Sequence, residues 1–107
     1  MSGEGKGVNL TGAGWCFSAS HRDPVRQELH GHSYEVVCWW PASPPRDAMV
    51  LQEMVKAVLK AGFDHKTLPD DMTRAEDIAR ALGGLLTDCV RVDISRPSER
   101  LHSEVWL

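Results

Sequence analysis

The period of the apolar positions switches along this chain, and each switch marks a new element. In residues 8–20, Val8, Leu10, Trp15 and Phe17 stand among small residues as one strand, with Gly12 and Gly14 as bend points. Residues 22–29 (RDPVRQEL) form a polar loop. Residues 32–40 (HSYEVVCWW) are β-branched and aromatic and alternate, so Tyr34, Val36, Cys38 and Trp40 share one face of a second strand. The run PASPPRD then breaks the chain. From 48 to 59 the spacing is helical, with Leu51, Met54, Val55, Val58 and Leu59 on one stripe and Gly62 as a stop. After the loop FDHKTLPDDM, Thr73 and Glu76 fit a capping box that opens a second helix carrying Ile78, Ala79, Leu82, Leu85 and Leu86. Val90, Val92 and Ile94 alternate as a third strand, RPSER turns, and residues 101–107 close as a fourth. The order ββααββ predicts an α+β sandwich, an antiparallel sheet with two helices on one face.

At 107 residues the chain predicts one domain, 1–107, with flexible Gly-rich residues 1–7 and a core shallow enough to gain from an oligomer partner. A sheet of four strands in so short a chain leaves edges that need pairing, which again predicts a homo-oligomer. The net charge of -3 and eight scattered arginines argue against a nucleic-acid groove or an anionic-membrane patch. Three cysteines, Cys16, Cys38 and Cys89, lie far apart without a C-x-x-C, which argues against a disulfide framework or a cysteine zinc site. The start lacks an apolar segment of the secretory kind and no run is long enough to span a membrane, so the expected location is the cytoplasm.

Three of the five histidines crowd into F-S-A-S-H (17–21) and H-G-H-S-Y (30–34). Side chains at i and i+2 on a strand share a face. His30 and His32 therefore point the same way, and Gly31 leaves the other face open. His21 ends the preceding strand, where the loop lets the two strands pair. Three imidazoles with no fourth protein ligand describe a catalytic Zn2+ site that keeps one position for water or substrate. Asp64-His65, in the loop after the first helix, pairs a carboxylate with a candidate base. Adjacent residues commonly point apart, so the sequence leaves open whether these two act together. His102, mid-strand beside Trp106, reads as structural or surface.

Taken in order, FSASH, LHGHSY, AMVLQEMVK, FDHKTL and AEDIA resemble the 6-pyruvoyltetrahydropterin synthase family, which includes the 6-carboxytetrahydropterin synthases of the queuosine pathway. The resemblance runs from about Phe17 to Val92. It implies the tunnelling fold, a ββααββ unit whose strands join those of neighbours into a barrel, and a homohexamer built as a dimer of trimers. It implies that His21, His30 and His32 hold zinc and that Asp64 and His65 form the proton relay. It also implies a lyase acting on dihydroneopterin triphosphate, a GTP-derived pterin, in which zinc polarises side-chain oxygens while a base moves protons.

Three positions depart from the family pattern. The loop before H-G-H lacks the usual catalytic cysteine: Arg26 stands in its place, Gln27 stands where a variant carries glutamate, and Glu28 follows one residue later as the candidate base. The pterin-anchoring glutamate of V-x-V-x-E-T is replaced by Ile94 in VRVDIS, with Asp93 on the opposite face. Glu99 and Glu104 could serve only in a shifted register. Gln52 and Glu53 replace an acidic and an aromatic residue, which bears on packing. Three readings follow: a pterin-synthase-like lyase, the same fold and metal with a different small-molecule substrate, or a non-catalytic homologue that keeps zinc for structure.

Overall fold

A computed structural model describes residues 9–22, 25 and 28–107. The expectations for the first residues, Arg26 and Gln27 lie outside these described residues.

Two long strands, β1 (Leu10–Arg22) and β2 (Leu29–Pro41), form an antiparallel hairpin paired along their whole length. They are followed by α1 (Ala48–Gly62), β3 (Lys66–Thr67), α2 (Ala75–Gly84), β4 (Arg91–Arg96) and β5 (Leu101–Trp106). The sheet has five strands in the order β3-β1-β2-β4-β5, with β1–β2, β2–β4 and β4–β5 antiparallel. The expected ββααββ order holds, with one correction. Lys66 and Thr67, read as loop, pair in parallel with Ala19 and Ser20 of β1, so there are five strands rather than four. Two residues carry no periodic signal, and this strand exists only because β1 offers an open edge there.

The alternation in β2 is realised, with Tyr34, Val36, Cys38 and Trp40 all buried on the face that the helices cover. Leu51, Val55 and Leu59 of α1, and Ile78, Ala79 and Leu82 of α2, pack onto that face with Val92 and Ile94 of β4. Phe17 stacks on Tyr34 at a centroid distance of 4.9 Å and meets Phe63 edge-on at 6.0 Å. Trp40, fully buried, donates its indole N–H to Thr87 O at 2.8 Å, so its one polar atom is satisfied. Asp47 caps α1 by accepting from Met49 N–H.

The second helix starts differently from its sequence signature. Its N-cap is Arg74, without a side-chain capping bond, and Thr73 follows a short 3-10 turn (Asp70–Met72). Glu76 accepts from Ser103 Oγ of β5 instead of closing a capping box, and Asp77 pairs with Arg74. Tertiary contact to β5 outcompetes the local motif. Leu85 falls just past the helix end and is exposed.

Length positions the site. Thirteen strand residues reach about 43 Å, whereas the fifteen residues of α1 cover about 22 Å. Helix α1 runs beside the middle of β1: Gln52 donates to Gly14 O, Lys56 lies over the Trp15 ring, and Asp64 reaches Ser18. The end of the β1–β2 ribbon from Ala19 to Arg22 therefore extends past the helix. None of the helices among the described residues is long and apolar enough to cross a membrane.

Candidate functional site

His21, His30 and His32 all lie inside strands, on the overhanging end of the ribbon. His21 is directly opposite His30, and His32 is opposite Ala19, which makes His21 and His32 diagonal neighbours on one face. The diagonal pair meets most closely: Nε2 of His21 and Nε2 of His32 are 3.1 Å apart, with ring centroids at 5.0 Å. The His30 ring stands 6.4 Å from that of His21, and its Nε2 is 4.0 Å from Glu28 Oε1. Two nitrogens bound to one tetrahedral zinc at roughly 2.0–2.1 Å each stand about 3.3 Å apart. The His21–His32 spacing fits an ion shared by their Nε2 atoms, while Nδ1 of His21, across the ring, is buried with no hydrogen-bond partner among the described residues. The donor set therefore fits zinc at two positions, with His30 and Glu28 adjacent.

The second nitrogen of His32 is engaged. Glu99 Oε2 lies 3.3 Å from Nδ1, which makes Nδ1 the protonated nitrogen and leaves the Nε2 lone pair facing His21. Arg96 NH1 also lies 3.2 Å from that Nε2, and its NH2 pairs with Glu99 Oε1 at 3.1 Å. Burial and the Arg96 charge push the His32 pKa below the ordinary histidine value, while Glu99 pulls it the other way. The neutral form of the His32 imidazole is thereby favoured. Arg96 does not stand out in the sequence as part of the site, and Glu99 is legible there only as a stand-in substrate anchor, not as a partner of His32. The available signal is R-P-S-E, in which Pro97 starts a 3-10 turn and sets arginine and glutamate three residues apart on one side.

Asp64 and His65 stand side by side. His65 has φ 58, a left-handed conformation that turns its imidazole back onto its neighbour, and Nε2 lies 3.6 Å from Asp64 Oδ2. The other carboxylate oxygen accepts from Ser18 N–H at 3.0 Å, and His65 N–H donates to Ser18 O at 2.6 Å. The pair is thus pinned to the edge of β1 where β3 begins. The His65 side chain is 83 % exposed. Both His65 and His32 line a cleft of about 520 Å³, with Ser18, Ser20, Ser33, Thr67 and Ser98 supplying hydroxyls. A second cleft of about 570 Å³ shares Ser18, Ser33, His65 and Ser98, and adds Asp64, Glu35 and Cys16. Cys16 is exposed and lines this second cleft, a place that no spacing in the sequence indicates. Gly31 has no atom within 4 Å of where a Cβ would stand, so the backbone of H-G-H is bare on the cleft side.

Ile94 is fully buried in the core, so no carboxylate projects from that point of β4. Asp93 faces away, accepting from the Trp39 indole at 3.0 Å and from Arg91 Nε at 2.7 Å. Glu99 reaches His32, whereas Glu104 pairs with Arg91 at 3.1 Å and lies opposite Asp93. Among the described residues, Asp93, His102 and Glu104 are the group of three whose donor atoms lie within 4.8 Å of one another. Arg91 already balances both of those carboxylates. His102, half exposed, is placed there by strand alternation, in keeping with a surface role.

No protein-family model and no curated protein sequence matches the chain. Among solved structures, that of 6-pyruvoyl tetrahydropterin synthase from Caenorhabditis elegans superposes on it with a TM-score of 0.72, covering 94% of this chain and 96% of that one at 16% sequence identity. The chain has that fold, far diverged in sequence.

Proposed function

We propose that this protein is a zinc-dependent lyase of the 6-pyruvoyltetrahydropterin synthase type, acting on dihydroneopterin triphosphate or a related GTP-derived heterocycle. The observation that carries the reading is the 3.1 Å approach of His21 and His32 Nε2, with His32 and His65 lining one cleft. His21, His30 and His32 would hold the ion, which supplies polarisation of substrate oxygens when bound. Asp64 Oδ2 stands 3.6 Å from Nε2 of His65, and His65 would take a proton from a substrate carbon or hydroxyl and return it elsewhere. Glu28, beside His30, is the second carboxylate placed to move a proton. The assembly proposed is a homo-oligomer, a hexamer made as a dimer of trimers in the cytoplasm. Among the described residues, β1 pairs with a strand on one side only from Leu10 to Phe17, and β5 is the opposite edge. Neighbouring copies can extend the sheet through both.

The burial of Ile94 favours a second reading, the same metal and relay with a substrate other than a pterin. A pterin's ring N–H and amino donors would find no acceptor at that point, at a cost on the order of 1–3 kcal/mol. Metal analysis and turnover separate the possibilities. Purified protein is expected to carry about one zinc per chain, following the one-site geometry. His21→Ala and His32→Ala are expected to lose it. His65→Gln should keep the zinc and lose turnover of dihydroneopterin triphosphate. Zinc retained in both alanine variants would overturn the site. Intact zinc binding with untouched dihydroneopterin triphosphate would transfer the reading to another substrate.

A further inference from the structure

We propose that the metal end of the cleft takes a substrate oxyanion, a carboxylate or a phosphate, and that Arg96 makes metal binding and anion binding depend on each other. This rests on the zinc reading above and names the class of substrate that the site accepts.

The argument begins with one lone pair. Glu99 takes the Nδ1 proton of His32, so the Nε2 lone pair is the one that a metal would use. In this structure the same Nε2 stands 3.2 Å from Arg96 NH1, and a guanidinium can only donate. Arg96 and a metal ion compete for that position. Arg96 does not simply leave, because Glu99 Oε1 holds its NH2 at 3.1 Å. Its side chain is 22% exposed, so solvent screens its charge only in part.

The charges then fail to balance. The histidines bring none as neutral ligands. A divalent ion beside a permanently charged guanidinium is offset by Glu99 and by Glu28, near His30. Among the described residues, at least one positive charge is left over, next to the coordination position that three protein ligands would leave open. Ile94 removes the other place on β4 from which a carboxylate could enter. An oxyanion resolves both defects, with one oxygen on the open position and another on the N–H that Arg96 withdraws from His32.

The experiment is a Co2+ titration of the full chain, followed by visible d–d absorption, in a buffer without oxyanions. It is repeated with sulfate and with acetate, both weak ligands for the free ion. In the unmodified protein one of the two anions should tighten Co2+ binding by about tenfold, and Co2+ should tighten the anion by the same factor. Sulfate alone acting points to a phosphate, acetate alone to a carboxylate. Arg96→Ala should bind Co2+ more tightly without anion and lose the enhancement. Arg96→Gln, which keeps a donor without the charge, should do the same and guards against a misfolded alanine variant. Enhancement that persists in both variants, or Co2+ affinity indifferent to both anions, overturns the proposal and leaves the metal site standing. Co2+ binding that is absent, or unchanged in His32→Ala, overturns both.

Discussion

Glu99 is the residue through which the metal site can be most sharply tested. Its two carboxylate oxygens do separate things: Oε2 meets Nδ1 of His32 at 3.3 Å, and Oε1 meets Arg96 at 3.1 Å. Glu99→Ala removes the group that sets the His32 tautomer and also frees a cation beside the metal position. Loss of such an outer partner weakens metal affinity by about 10- to 100-fold, or about 1.4–2.7 kcal/mol. The cost to folding is much smaller. The carboxylate is 38% exposed, and ion pairs at that exposure contribute about 0–1 kcal/mol. The variant should therefore melt within a few degrees of the unmodified protein while losing most of its zinc in competition with a chromogenic chelator. Glu99→Gln, which keeps an acceptor for Nδ1–H, should fall between the two. Zinc affinity of Glu99→Ala within about twofold of the parent, measured beside an unchanged melting curve, would refute the orienting role.

Two further outcomes follow from local geometry. A Cβ at Gly12 would lie 2.7 Å from Cζ3 and 2.8 Å from Cε3 of Trp39, so Gly12→Ala should destabilise by about 1–3 kcal/mol in urea unfolding. Trp39→Ala in the same chain should relieve most of that increment, and a strictly additive double mutant would refute the steric account. For pH, burial and Arg96 lower the His32 pKa, so between that lowered value and about 6.5 the unfolded chain binds the extra proton. The stability of the metal-free protein should rise with pH through this window and level off above it. His32→Gln should flatten that slope, and an identical slope in the variant would count against it.

Much of the architecture is legible because burial imposes a period. Tyr34, Val36, Cys38 and Trp40 alternate because one face of β2 meets helices, and Leu51, Val55 and Leu59 repeat because one stripe of α1 meets the sheet. The histidine cluster is legible for the same reason, since i, i+2 spacing and a hairpin suffice to place three side chains on one face. What escapes is set by contacts distant in sequence. Strand β3 is two residues long and depends on the β1 edge. The Asp64 carboxylate occupies a backbone N–H of Ser18, and Glu99 reaches a histidine sixty-seven residues earlier. The capping box at Thr73 illustrates the converse, a local motif complete in sequence and overridden because Ser103 offers Glu76 another partner.

The segment bearing Asp64 and His65 has a buried pin at each end. Phe63 sits in the aromatic cluster with Phe17, Leu68 is buried near the end of β1, and only four residues separate them. Five residue steps span at most about 18 Å even when straight, and here they are bent by a left-handed residue and tied to β1. His65 is thus exposed without being loose: its tether is short and both anchors belong to the hydrophobic core. The reach of His65 is a property of that core. A cavity opened at Phe63 or Leu68 would be felt first as a shift in where its imidazole stands, before it was felt as a loss of fold.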